Sequence, residues 1–310
     1  MKKIYYLVGL PRAGNTLFGS ILNQNPRVRV TANSIVPDTM WLTQGLKNDQ
    51  SYKTFPDEKS LDNIIKNIIP NYYKDWDCDV VLDRSVWGLQ DNLEMLKKYA
   101  PNEIKFVVLY RDLEEVIASF IHWSENNKPN FLDNSTDGTY ESKAAHMMRT
   151  DSEIWRDYWS IKGAKDSGLP CFFIEYKDLV THTPDVISSL YEFLEIDSYD
   201  HDYEKLNLFN IDGIKYDFRV RALGNQGGAG EYSYAENVEI IGKTEPPQNV
   251  SGFSFETNRF FIIHLLPAVA IGPQKNCNDA RPSLMHAMSE CPTKCVSNWK
   301  YSIPSWHQTK

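Results

Sequence analysis

The 310-residue chain lacks the cationic excess of a nucleic-acid binder: 33 Lys and Arg face 41 Asp and Glu, a formal net charge of -8. A surface that neutralises many phosphates needs the opposite balance, so any anion site must be local. Cysteine is sparse, five in all (Cys78, Cys171, Cys277, Cys291 and Cys295), too few for a disulfide scaffold. Cys78 and Cys171 sit in or beside apolar runs and read as buried, reduced thiols. Cys291 and Cys295, with Cys277 and His286 nearby, match no usual zinc spacing and read as thiols on an irregular tail, with a disulfide or metal site as the alternative. Long apolar runs are missing too. The first one, Ile4–Val8, is too short for a signal-peptide core or a membrane span, and it runs into a glycine loop without a small-residue cleavage site. The expectation is a cytoplasmic protein with no membrane or nucleic-acid partner. No internal repeat or low-complexity tract interrupts the sequence.

The composition present is ordinary for a folded protein, 42% hydrophobic and 24% charged. Four apolar, β-branched runs (Ile4–Val8, Val80–Leu82, Ile104–Tyr110 and Cys171–Ile174) have the look of buried parallel strands. Helical stretches are predicted at Thr16–Gln24, Leu89–Tyr99, Leu113–Trp123, Lys143–Asp166 and Pro184–Leu194. This alternation predicts an α/β protein, a parallel sheet with helices on both faces. The polar stretches 45–60 and 125–140 read as loops. A glycine-rich break, Gly224–Gly230, precedes a change of texture. The expected division is a main domain over 1–245 and a C-terminal segment, 246–310, of unassigned structure.

Chemistry concentrates on Gly9-Leu10-Pro11-Arg12-Ala13-Gly14-Asn15-Thr16, which has the spacing of a phosphate-binding loop between a strand and a helix. Inward backbone N–H groups and the helix dipole make such a loop attractive to phosphate oxygens. A nucleotide triphosphatase would carry Lys at the position of Asn15, to bridge the β- and γ-phosphates. Here the loop's cation is Arg12. A second strand-to-helix junction, Phe106–Ser119, sets Arg111 at a strand end, Asp112 as a helix cap and Ser119 two turns on, so that an arginine and a hydroxyl could converge on one anion; taken alone, the Arg111-Asp112 pair reads as a structural salt bridge with a helix cap.

Together with Ile21-Leu22-Asn23-Gln24-Asn25-Pro26, the loop resembles the 5′-phosphosulfate loop of the sulfotransferases that use 3′-phosphoadenosine-5′-phosphosulfate (PAPS), in particular the bacterial and protein-tyrosine branch. The segment around Arg111 and Ser119 resembles that family's 3′-phosphate motif. Phe173–Val180 and Tyr191–Leu194 resemble its late strand and following helix, so the likeness covers roughly residues 1–200. It implies a P-loop NTPase-like sulfotransferase fold in which Pro11, Arg12, Ala13, Gly14, Asn15, Thr16 and Leu17 hold the 5′-phosphosulfate. Arg111 and Ser119 would hold the 3′-phosphate, with Tyr176 beside the nucleotide. The implied activity is sulfuryl transfer from PAPS to a hydroxyl or amine on a small molecule, glycan or protein tyrosine, releasing adenosine 3′,5′-bisphosphate. A sulfuryl group carries less negative charge than a phosphoryl group, so arginines and backbone dipoles suffice and no metal is required.

Val80–Trp87 resembles the acid-lysine-serine segment of glycan sulfotransferases, which makes Asp83 the candidate base and Arg84, with Arg12, the candidate stabilising cations. Arg in place of Lys substitutes a planar fork for a point charge. The alternative for Asp83 is a structural pairing with Arg84 or a turn cap. The tyrosine sulfotransferases carry a catalytic acid near the position of Asn33, and an amide cannot be a base. His122 is a second base candidate, and Arg219 and Arg221 fall where a late basic loop covers the nucleotide in relatives. Trp155, Tyr158 and Trp159 read as core at helical spacing. Two other readings stay open, a P-loop kinase of a small molecule and a non-catalytic nucleotide-binding module of the same fold.

Overall fold

The computed structural model describes residues 2–204, 206, 210–211 and 214–215. In chain order the elements are β1 (Lys3–Gly9), α1 (Asn15–Leu22), β2 (Val28–Val30), α2 (Val36–Gly45), a 3-10 turn (Leu46–Asn48), α3 (Gln50–Thr54), α4 (Glu58–Tyr72), β3 (Val80–Arg84) and α5 (Gln90–Tyr99). There follow β4 (Phe106–Tyr110), α6 (Leu113–Asn126), α7 (Phe131–Ser135), α8 (Tyr140–Met147), α9 (Glu153–Asp166), β5 (Cys171–Glu175), α10 (Tyr176–Thr181), α11 (Thr183–Leu194) and the short strands β6 (Asn210–Ile211) and β7 (Ile214–Lys215).

The first five strands form one sheet in the order β2-β3-β1-β4-β5, parallel throughout. Every residue of β4 is buried, as are all those of β1 after Lys3, the pattern of strands covered by helices on both sides. The chain first works outward from β1 to β2, returns to β3, and then crosses to β4 on the opposite side. That reversal makes β1 the topological switch point, at whose carboxyl end ligands bind in open sheets of this kind.

All four predicted strands are present, and β2 is an addition: three residues, Val-Arg-Val, at the sheet edge. The stretches read as loops carry helices. Within 45–60 lie the 3-10 turn, α3 and the start of α4, and within 125–140 lies α7. The single helix expected over Lys143–Asp166 is two, α8 and α9, because Ser152 caps a new start by accepting from the Trp155 N–H at 3.2 Å. Lys143, fully buried on α8, is paired with Glu125 and lies 3.6 Å from Asp133. An enclosed ammonium needs such partners, and these tie α6, α7 and α8 together.

No helix among the described residues is long and apolar enough to cross a membrane. The expected boundary at 245/246, the glycine-rich break, Arg219, Arg221, His286, Cys277, Cys291 and Cys295 lie outside the described residues.

Candidate active site

The loop between β1 and α1 is built by two residues in the left-handed region, Arg12 (φ 62°) and Gly14 (φ 81°). Such a conformation costs a side-chain-bearing residue of order 1–2 kcal/mol, so Arg12 must be held by its surroundings. Arg111 supplies one hold, its guanidinium donating to the Arg12 carbonyl at 3.2 Å. Gly14 is required on two counts: besides its φ, a Cβ there would lie 3.0 Å from Tyr176 and 3.1 Å from Leu179. The backbone thus passes directly against α10.

Asn15, in the position where a triphosphatase carries lysine, folds back into the loop and donates to the Leu10 carbonyl at 2.7 Å. Its Oδ1 is buried without a hydrogen-bond partner and packs where Gly9 has no side chain, since a Cβ at Gly9 would come within 2.4 Å of it. Thr16 is exposed, and Pro11 and Ala13 are buried. No carboxylate stands in the first turn of α1.

The second junction meets this loop. Arg12 Nε donates to Ser119 Oγ at 3.1 Å, which brings α1's loop and α6 together at one spot. Arg111 lies over the Tyr176 ring, 4.1 Å from its centroid, and its Nε donates to Glu115 at 2.8 Å. Asp112 caps α6 by accepting from the N–H groups of Glu114 and Glu115. Arg12 and Arg111 from two loops, Ser119 from α6 and Tyr176 at the start of α10 therefore form one cluster at the carboxyl ends of β1, β4 and β5.

Asp83 and Arg84 belong to the neighbouring end of β3. Arg84 NH1 donates to the Ala32 carbonyl at 2.6 Å and to Asn33 Oδ1 at 3.0 Å, so its head group holds the loop after β2. Asp83 has no exposed surface. Its Cα is level with Tyr6, three residues short of Gly9 and hence about 10 Å below the loop at ~3.3 Å per residue. The carboxylate accepts from Tyr73 OH at 2.6 Å and Ser34 Oγ at 3.0 Å on Oδ2, and from the Trp87 indole at 3.1 Å on Oδ1. Burial raises its pKa from 3.8 to about 6, against the lowering effect of those three donors. The same enclosure pushes the Tyr73 hydroxyl far above its ordinary value.

These shifts have a signed consequence. Because the folded-state pKa of Asp83 is raised, its contribution to stability is complete below about pH 4 and is lost as pH rises through 6. Asp83→Asn removes the titration. The stability difference between variant and wild type, measured by urea unfolding, should move in the variant's favour by on the order of 2–3 kcal/mol between pH 4 and 7. A difference constant with pH would contradict it.

Ser34, Tyr73 and Trp87 were not singled out by the sequence; nothing in their spacing announces that Ser34 and Tyr73 share one carboxylate with the nearby Trp87. His122 is exposed and bonded to Asn126 on its own helix. Trp155, Tyr158 and Trp159 cluster with one another, Trp159 being 42% exposed.

An all-parallel α/β sheet with a glycine loop between its first strand and first helix, at the topological switch point, sets the class of protein. The Sulfotransferase family model matches residues 6–201, and the chain belongs to that family. Among solved structures it is similar to the sulfotransferase domain from the Synechococcus PCC 7002 olefin synthase (18% identity, 66% of this chain and 80% of that one, TM-score 0.43). It is also similar to the sulfotransferase from Alicyclobacillus acidocaldarius (12% identity, 71% and 89%, TM-score 0.40). A third is mouse sulfotransferase SULT7A1 complexed with PAP (13% identity, 64% and 61%, TM-score 0.41). A search of curated proteins returns no match.

Proposed function

We propose that the chain transfers a sulfuryl group from PAPS to a hydroxyl or amine acceptor and releases adenosine 3′,5′-bisphosphate. The observation that carries this reading is the single cluster of Arg12, Ser119 and Arg111 around the α1 loop. It supports a ligand with two separated anionic groups, the 5′-phosphosulfate on Pro11–Leu17 and the 3′-phosphate on Arg111 and Ser119. The residues fit such a donor. The loop has a glycine where a Cβ would strike Tyr176, a helix start with no competing carboxylate, and cations of the fork-shaped type that suits phosphate. The donor supplies the activated sulfuryl group, and the protein orients it and stabilises the charge left on the leaving phosphate. Arg12 is the cation proposed for that charge. Arg84 positions the loop after β2, and Asp83 is the proposed final acceptor of the acceptor's proton.

The kinase reading is disfavoured by Asn15, whose amide is turned into the loop. Isothermal titration separates the two. Adenosine 3′,5′-bisphosphate should bind at micromolar concentrations or tighter while Mg-ATP binds at least about tenfold more weakly, about 1.4 kcal/mol. Tight ATP binding with no response to the bisphosphate would sink the sulfotransferase reading.

A further inference from the structure

Asp83 has the chemistry of a base and none of the access. Its carboxylate is fully enclosed, so an acceptor oxygen cannot touch it. Of its three donors, Trp87 and Tyr73 are themselves buried without exposed surface, whereas Ser34 is partly exposed. Ser34 lies on the loop that follows β2, beside the exposed Asn33, and this loop stands next to the carboxyl end of β3. β2 and β1 both flank β3, so the loop that carries Ser34 and the loop that follows β1 leave the same edge of the sheet on either side of Asp83. The Ser34 hydroxyl donates to Asp83 at 3.0 Å and accepts from the Val36 N–H at 3.2 Å. Its proton is already directed at the carboxylate.

We propose that Ser34 is the catalytic hydroxyl that relays the acceptor's proton to Asp83. The inference rests on the sulfuryl-transfer reading above. In the step, a bond forms between the acceptor oxygen and the sulfuryl sulfur, and the bond from sulfur to the phosphate oxygen of PAPS breaks, its electron pair leaving on adenosine 3′,5′-bisphosphate. The acceptor's O–H proton passes to Ser34 Oγ as the Ser34 proton passes to Asp83 Oδ2. The enzyme is left with neutral Asp83, which returns the proton to water by the same route. The titratable groups around the carboxylate are Tyr6 from β1 and Tyr72 and Tyr73 at the end of α4. All three are neutral phenols at working pH, so the acid limb belongs to Asp83. Its pKa of about 6 suits a base working near neutrality.

The full chain is tested with ³⁵S-labelled PAPS and water as the acceptor, reading sulfate release together with bisphosphate affinity by titration calorimetry. Ser34→Ala should lower kcat on the order of 100-fold with bisphosphate affinity unchanged, and Ser34→Thr, which keeps the hydroxyl, should recover to within about tenfold of wild type. Wild-type kcat should fall as pH drops below about 6, and the residual rate of Asp83→Asn should lose that limb. Thermal unfolding of each variant separates misfolding from lost chemistry, and the Thr rescue keeps the proposal testable if Ser34→Ala is unstable. A Ser34→Ala rate within twofold of wild type, an acid limb that survives in Asp83→Asn, or bisphosphate binding with no sulfate release by wild type would each overturn the relay and leave the donor reading standing. Absent bisphosphate binding by wild type would overturn the donor reading itself.

Discussion

Gly88→Ala should be among the most destabilising single substitutions in the chain, costing about 3 kcal/mol or more and lowering the melting temperature by on the order of 10 °C. The reason is a backbone-to-backbone contact. A Cβ at Gly88 would sit 1.8 Å from the Ser160 carbonyl oxygen and 2.8 Å from the Ala164 N. A Cβ at Gly163 would sit 1.9 Å from the Gly88 carbonyl oxygen. Neither obstacle is a side-chain tip that can swing aside, so α9 must move as a body. The same contact seats the Gly88 N–H on Ser160 Oγ at 3.0 Å, a buried donor that would lose its partner. Because Trp87 precedes this glycine and donates to Asp83, the damage should reach the candidate base. Calorimetric melting of the variant checks the claim; a shift below about 3 °C would show that α9 gives way easily.

The second large effect is expected on binding. Arg111→Ala removes the guanidinium that lies against Tyr176 and donates to the Arg12 carbonyl. One side chain therefore braces the left-handed Arg12 and is also the charge proposed for the 3′-phosphate. Losing charge-assisted bonds of about 1.5–3 kcal/mol each should weaken adenosine 3′,5′-bisphosphate by about 100-fold or more, near 3 kcal/mol. Arg111→Lys should recover little, since an ammonium neither stacks on the ring nor offers a fork. Titration calorimetry of both variants decides the point, and retention of near wild-type affinity in Arg111→Ala would remove this residue from the proposed donor site.

The parts of the fold legible in the sequence were those whose signal is local. Buried strands such as Phe106–Tyr110 show as continuous apolar runs, and Arg111-Asp112 shows as a strand end with a cap. Helix α4 was missed although Leu61, Ile65 and Ile69 form its buried stripe, because its polar face and Pro70 obscure the pattern. Strand β2 was missed because three residues at a sheet edge, with Arg29 in the middle, carry no periodicity to read. The meeting of Arg12 with Arg111 and Ser119 was legible because the two motifs are contiguous segments. Ser34, Tyr73 and Trp87 were not, since only tertiary folding, including the parallel pairing of β2 with β3, brings them to one carboxylate. Burial of that carboxylate is a tertiary property.

The strand order described above has an evolutionary reading. β1 acts as a midline: Arg111, Ser119 and Tyr176 follow β4 and β5 on one flank, while Ser34, Asp83 and Arg84 belong to β2 and β3 on the other. The loops of the second flank can lengthen, shorten or change chemistry without touching the residues proposed to grip the nucleotide. A lineage built on this sheet can thus vary one flank while inheriting the other intact, and laboratory recombination of the segment 31–79 between relatives that keep Ser34 and Tyr73 is the natural way to exploit that independence.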